Sequence, residues 1–293
     1  MNISYGKGVF FAVGAYFLWG IFPIYWKLLS EIHSLHLVAF RILLAFAAVC
    51  AVLFAQKRFS WLRFFKDKRQ ALPLVAMGLV ISFNWSFYIW AINSGYIIEA
   101  SLGIFITPLV SAIMGFCFLR EKLKPMQYVA FAFAFVGVII LTILTGVPPW
   151  ISIIIALIYA CYGLLRKYAP LPALESLGAE TLVALPIGLA LLFLPISGQD
   201  LSFLSGLSLF TTVMLLLCGL ATILPLYLFA KGMRVIKLST LSVIQLLSPA
   251  ITFLVGFFLY GETFPSRNFI AFGFIWFGAI VYIVSGFKSK REE

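Results

Sequence analysis

The chain has 293 residues, of which 63% are hydrophobic and 11% charged, with a formal net charge of +11. Soluble globular domains run at roughly 45–50% apolar and about 25% charged residues, so a water-soluble chain is excluded and a bilayer is its solvent. The positive surplus falls between the apolar runs, which suits cytoplasmic loops and lipid headgroups rather than nucleic acid.

A transmembrane helix needs about 20 mainly apolar residues. Ten runs qualify: 8–29, 35–55, 71–92, 99–119, 126–144, 150–165, 174–194, 207–230, 238–260 and 268–287. The runs are continuous rather than alternating, so helices are expected and a β-barrel is not. The first is too long for a signal-peptide core and lacks a small-x-small cleavage site, so it is expected to remain as a span.

Polar and aromatic residues inside these spans are few. Span one carries Tyr16 and Trp19 beside Gly20 and Pro23. Span two carries Arg41, whose charge must face the bundle interior, paired or hydrated. The segment 56–70, QKRFSWLRFFKDKRQ, interleaves basic residues with Trp61, Leu62, Phe64 and Phe65, as a short segment lying on anionic headgroups would. Span three places Asn84, Trp85 and Tyr88 together, with Trp85 nearer the middle than interfacial tryptophans lie.

Span four begins at Glu99 and contains Thr107 and Pro108 at mid-membrane. Its Gly103, Thr107, Ser111 and Gly115 recur every four positions and share one face, which suits either close helix packing throughout or packing at one end and a cavity lining near Pro108. Span six holds Tyr159 and Tyr162, and span seven holds Glu180. Span nine repeats the theme of span four, with Ser242, Gln245, Ser248, Pro249, Thr252 and Gly256. A mid-span proline removes a backbone donor and frees a carbonyl, so Pro108 and Pro249 are expected to act as equivalent gating hinges. Cys50, Cys117, Cys161 and Cys218 lie inside spans without a C-x-x-C, and only His33 and His36 are available, so neither a disulfide, a metal site nor a cofactor is expected.

With the N-terminus inside, 18 of the 21 basic residues fall in cytoplasmic segments, leaving Lys27 and Arg267 outside and Arg41 within a span. Both termini are therefore expected in the cytoplasm. A shift of 141 residues overlays Ser101 on Ser242, Thr107 on Ser248, Pro108 on Pro249, Ser111 on Thr252, Gly115 on Gly256 and Glu121 on Glu262. A shift of 143 brings Tyr16 onto Tyr159, Trp19 onto Tyr162 and Gly20 onto Gly163. The expected fold is all-α and polytopic, with ten transmembrane helices as two five-helix repeats, residues 1–147 and 148–293. Five is odd, so the second repeat enters the membrane inverted, an arrangement found in secondary transporters.

Arg41 overlays Thr181, which puts Arg41 and Glu180 in nearly equivalent places in opposite halves, where they pair with each other or satisfy local carbonyls. Glu180 is the best-placed carboxyl for carrying a proton across the membrane, with Glu99 second. A pair with Arg41 would instead keep Glu180 ionised and structural, and would favour a facilitator or exchanger.

The stretches AYFLWGIFPIYWKL (15–28), NWSFYIWAINSGYIIEASLGIFITPLV (84–110), YGLLRK (162–167), ETLVALP (180–186) and LSTLSVIQLLSPA through FFLYGE (238–262) resemble the drug/metabolite transporter superfamily, in its EamA group, and within it the RarD-type permeases. The resemblance covers almost the whole chain. It implies two EamA-like repeats and export or exchange of small metabolites or drug-like molecules across the cytoplasmic membrane by alternating access. A membrane-embedded enzyme is the first alternative, yet no H-E-x-x-H or G-x-S-x-G motif occurs. A non-transporting accessory or sensor protein is the second. No Walker loop is present to harness ATP. The substrate cavity is expected to be lined by Tyr16, Trp19, Asn84, Trp85, Tyr88, Thr107, Tyr159, Tyr162, Gln245 and Ser248. The expected partners are a small-molecule substrate and the lipid bilayer, without nucleic acid, with a homodimer left open.

Overall fold

The computed structural model describes residues 4–58, 60–94, 96–122, 125–146, 150–193, 201–261 and 268–288. The helices are α1 (Tyr5–Lys27), α2 (Ser34–Ala55), α3 (Lys68–Asn93), α4 (Ile97–Leu119), α5 (Pro125–Thr145), α6 (Trp150–Lys167), α7 (Ala173–Leu192), α8 (Leu209–Met233), α9 (Leu238–Ile244), α10 (Leu247–Leu254) and α11 (Asn268–Lys288). Eight stretches, one of them Leu238–Leu259, are long and apolar enough to cross a membrane, and Gly103–Leu119 and Phe269–Gly278 add shorter apolar segments among the described residues. The chain is an all-helical, multi-pass membrane protein.

Local chemistry sets the helix ends. Ser4 opens α1 by accepting from the Lys7 amide at 3.4 Å, and Ser208 opens α8 by accepting from the Thr211 amide at 3.0 Å. Inside the spans, hydroxyls fold back on their own helix: Thr107 donates to the Gly103 carbonyl at 2.7 Å and Ser82 to the Gly78 carbonyl at 2.7 Å. Such bonds satisfy a polar group that lipid cannot.

The two proline-bearing spans differ. The helix α4 runs unbroken through Pro108. The predicted span 238–260 is not one helix, because Pro249 has no amide to offer the Gln245 carbonyl. That carbonyl accepts instead from Ser248, one residue closer, at 3.3 Å, and the chain turns at Gln245 and Leu246 between α9 and α10. A π-turn over Val255–Leu259 follows. Trp61 departs from expectation as well: it sits in a 3₁₀ turn (Ser60–Lys66) and points into the core against Leu53 and Leu177 rather than onto headgroups, while Leu62 is exposed.

Close helix contacts relate the halves. A β-carbon added at Gly137 would lie 2.7 Å from the Ala271 carbonyl oxygen, and one added at Gly278 would lie 2.6 Å from the Ala130 carbonyl oxygen. The 141-residue shift turns Gly137 into Gly278 and Ala130 into Ala271, so each helix offers its partner the same surface. Residue numbers rise along α5 as they fall along α11, so the pair is antiparallel. Exchange of the halves likewise turns the α4–α6 contact into the contact of α9 and α10 with α1, and α1–α8 into α6–α3, all of which are present.

Two ends of the bundle can be told apart. Tyr5 reaches Thr240 at 2.7 Å, Arg58 pairs with Glu175 at 3.2 Å, and Glu121 accepts from the Leu238 and Ser239 amides at 2.7 and 2.8 Å. Lys167 bonds the Ile236 carbonyl and Arg234 the Leu171 carbonyl at this same end. It collects the basic loops. At the other end Lys27 sits over the Tyr260 ring at 3.8 Å, Tyr25 bonds the Met214 carbonyl, and His36 stacks on Phe203.

Candidate functional site

A cavity of about 410 Å³ lies between the helices. It is lined from α1 by Tyr16, Trp19, Phe22, Pro23 and Trp26, from α2 by Arg41, and from α3 by Ile81, Asn84, Trp85 and Tyr88. The remaining wall comes from Ile104 and Thr107 of α4, Ile155 and Tyr159 of α6, Thr222 and Leu226 of α8, and Gln245, Ser248 and Thr252 around the break between α9 and α10. On α1 and α3 the lining runs from mid-helix to the C-terminal end, and on α2, α4 and α6 it stays in the N-terminal and middle turns. The cavity therefore occupies the half of the bundle away from the basic loops. Its volume falls in the range of about 300–1,000 Å³ typical of small-molecule sites.

Nine of the ten residues expected at a cavity line this one: Tyr16, Trp19, Asn84, Trp85, Tyr88, Thr107, Tyr159, Gln245 and Ser248. Tyr162 does not. It is fully buried below the cavity, stacked on Phe229 at 5.9 Å between ring centroids. The stripe on α4 divides by position. Thr107 faces the cavity, Gly103 lets the α6 backbone at Ser152 approach, and Gly115 packs against Leu238 and the Glu121 carboxylate. Pro108 turns toward α5 and α9, beside Ala130, Phe131 and Val243, and Pro249 is buried. The side chain of Glu99, like Glu262, lies outside the described residues.

The cavity floor is aromatic. Tyr16 and Tyr159 bring their hydroxyls to 3.4 Å, Trp19 packs edge-on against Tyr16 at 4.9 Å, and Phe229 touches Tyr16, Trp19, Tyr159 and Tyr162. Edge-to-face rings are among the favoured aromatic arrangements. Asn84 donates to the Ile155 carbonyl at 3.3 Å, which ties α3 to α6 beside the cavity.

Below that floor lies a buried charge network. Arg166 pairs with Glu180 at 2.7 Å, with both side chains almost wholly buried. The Tyr162 hydroxyl accepts from Arg166 at 2.7 Å and donates to Glu180 at 2.8 Å. The Ser176 hydroxyl accepts from Arg166 at 3.1 Å and donates to Glu180 at 2.9 Å. Every member is satisfied by another, which is the condition under which a charge pair is tolerated out of water. Of the two alternatives open for Arg41 and Glu180, the direct pair does not occur: Arg166 holds Glu180, and Arg41 lies on the cavity side.

Arg41 instead donates to the Thr222 hydroxyl at 3.3 Å and lies over Trp26 at 4.5 Å and Trp85 at 5.5 Å. Among the described residues no carboxylate pairs with it. Reading the sequence missed Arg166, counted as one more loop cation, and missed Phe22, Trp26, Thr222 and Thr252 of the lining. Thr222 was legible as the repeat counterpart of Ile81 and Thr252 as that of Ser111.

The EamA-like transporter family profile matches residues 6–143 and 149–284 of the chain. The chain is 39% identical over 291 residues to the uncharacterized transporter YojE of Bacillus subtilis (strain 168), covering 98% of this chain and 97% of that protein. It is 35% identical to the protein RarD of Streptomyces exfoliatus, over 98% of this chain and 91% of that one. With the protein RarD of Escherichia coli (strain K12) the identity is 31%, over 98% and 97% of the two chains. A protein of known crystal structure superposes with a TM-score of 0.74 at 17% identity, covering 94% of this chain and 96% of that one, which speaks to fold alone.

Proposed function

Because the chain belongs to the EamA-like transporter family, we propose that this membrane transporter exports or exchanges small metabolites or drug-like molecules by alternating access. The observation that carries the reading is one-sidedness. A solute-sized cavity fills one half of the bundle, and the opposite half is sealed by the Tyr16–Tyr159 floor and the Arg166–Glu180 network beneath it.

The membrane frame is part of the proposal. Ten spans in two inverted five-helix repeats fit the doubled family match, the antiparallel α5–α11 contact and the exchange-invariant packing. On the positive-inside rule we read the end with the basic loops as cytoplasmic, with both termini inside the inner (cytoplasmic) membrane; on that reading the cavity faces outward and the sealed end inward.

Turning to the inward-facing state requires the helices to part at Arg166 and Glu180. A buried pair separated without replacement partners costs several kcal/mol, so water must enter as it opens. The α9–α10 break supplies a joint whose freed backbone groups border the cavity at Gln245 and Ser248. Glu180 is engaged by Arg166, Tyr162 and Ser176 and does not line the cavity, which favours a facilitator or exchanger over proton coupling.

The test is flux by the purified chain in proteoliposomes loaded with a mixed small-metabolite panel, read by mass spectrometry against protein-free vesicles. Protein-dependent, saturable exit of a subset of solutes is expected. Exit no faster than from empty vesicles, with or without solute on the far side, sinks the reading.

A further inference from the structure

The cavity wall holds a cation, Arg41, that has no carboxylate partner among the described residues. Arg41 has its Nε bonded to Thr222 and its guanidinium carbon 4.5 Å over the Trp26 ring and 5.5 Å over that of Trp85. Arg41 lines the cavity, and neither carboxylate in an ion pair among the described residues is its partner. A guanidinium stays charged at any pH a protein meets, and a charge at this depth is costly unless something compensates it. The two indoles compensate in part, because their ring faces are negative. They also hold the fork, which leaves its outer N–H groups for an acceptor that offers two oxygens. A second group points to a ligand. Gln245 is 5% exposed, lines the same cavity, and its side-chain oxygen has no hydrogen-bond partner. A buried acceptor without a donor costs about as much as a lost hydrogen bond, and a ligand donor would remove that cost.

We propose that the transported class is small organic oxyanions, carboxylates or phosphate monoesters with an aromatic or apolar body, held by Arg41 through the anionic group. This rests on the transporter reading and narrows its substrate. The body lies against Trp19, Trp85 and Tyr88, and a hydroxyl or N–H on it meets the Gln245 oxygen. Neutral drug-like molecules fill the same volume but leave the guanidinium without an anion, so they bind more weakly.

Binding to the detergent-solubilised full chain is followed by quenching of its tryptophan fluorescence with three phenyl probes: phenylacetate, its uncharged isostere phenylacetamide, and phenyl phosphate. At least one anion is expected to bind about tenfold or more tightly than phenylacetamide, the size of one charge-assisted hydrogen bond. Phenylacetate against phenyl phosphate then identifies the oxyanion. Arg41→Gln is expected to abolish the preference of the anions over phenylacetamide, and Arg41→Lys to keep part of it. Equal affinity of the parent for charged and uncharged probes, a full anion preference in Arg41→Gln, or no saturable binding of either anion overturns the proposal. Because binding is read without flux, such a result leaves the transporter reading to its own vesicle test, and failure of flux with anion binding intact counts against that reading alone.

Discussion

Tyr16 and Tyr159 meet hydroxyl to hydroxyl at 3.4 Å although 143 residues separate them. They are repeat counterparts, so their contact marks the line where the two halves face each other, and both lie at the cavity floor with Phe229 against them. One hydrogen bond between equivalent residues forms this seam, which the alternating access proposed above would open.

Tyr16→Phe and Tyr159→Phe each remove the same bond. Each is expected to cost about 0.5–1.5 kcal/mol of stability. The double variant should cost no more than the larger single effect, because coupled residues are non-additive. Thermal melts of the three variants decide the matter, and costs that simply add would show that the two hydroxyls do not bond each other.

Glu180→Gln leaves Arg166 buried without its counter-ion. Breaking a buried pair from one side is expected to destabilise by about 3–5 kcal/mol. Replacing both partners with apolar residues, Glu180→Leu with Arg166→Met, should recover much of the melting temperature while slowing or freezing exchange. Single and double variants that melt alike would remove the pair from the account of the sealed end.

The prolines are not equivalent in the fold, and the difference is measurable. Pro249→Ala returns an amide to a helix broken at Gln245 and Leu246, whereas Pro108→Ala alters a helix already continuous. Initial flux rates should fall at least about tenfold for Pro249→Ala, with Pro108→Ala within about twofold of the parent. Equal loss in both would restore the symmetrical hinge read from the sequence.

Gly137→Ala and Gly278→Ala each drive a β-carbon into the facing backbone, at 2.7 and 2.6 Å. Both are expected to destabilise by about 1–3 kcal/mol. Gly273→Ala on the same α11 is the control, since nothing lies within 4 Å of the added atom. Melts in which Gly273→Ala matches the other two would argue against a close α5–α11 contact.

Topology is open to labelling. In a chain with its four cysteines replaced, Ser205→Cys should react with an impermeant maleimide on whole cells and Lys66→Cys only after lysis. The reverse pattern would turn the transporter over and put the cavity on the cytoplasmic side.

The helices were legible because lipid makes a span announce itself by length and apolarity, as for 35–55 against the observed Ser34–Ala55. Tyr16 and Tyr159 were legible because they recur between the halves, and Trp19 and Trp85 because they lie nearer mid-span than interfacial rings do. The charge network was not, since Arg166 sits four residues before Pro170 and reads as one more cytoplasmic cation. Its signal lay in two four-residue spacings, Tyr162 with Arg166 and Ser176 with Glu180, each placing a pair on one helix face. The break before Pro249 was half legible. Both prolines free a carbonyl, and only tertiary packing decides which helix bends.

The Arg166–Glu180 network has no counterpart in the other half, where the shifts of 143 and 140 residues lead from Arg166 to Pro23 and from Glu180 to Phe40. A carrier with two identical halves would divide its empty form equally between the two sides of the membrane. Here one end holds a buried ion pair and the other has Lys27 over the Tyr260 ring, so two access states built on these ends would differ in free energy. Each 1.4 kcal/mol of that difference skews the resting occupancy about tenfold. Under the alternating access proposed above, that inequality would set the side on which the unloaded carrier rests.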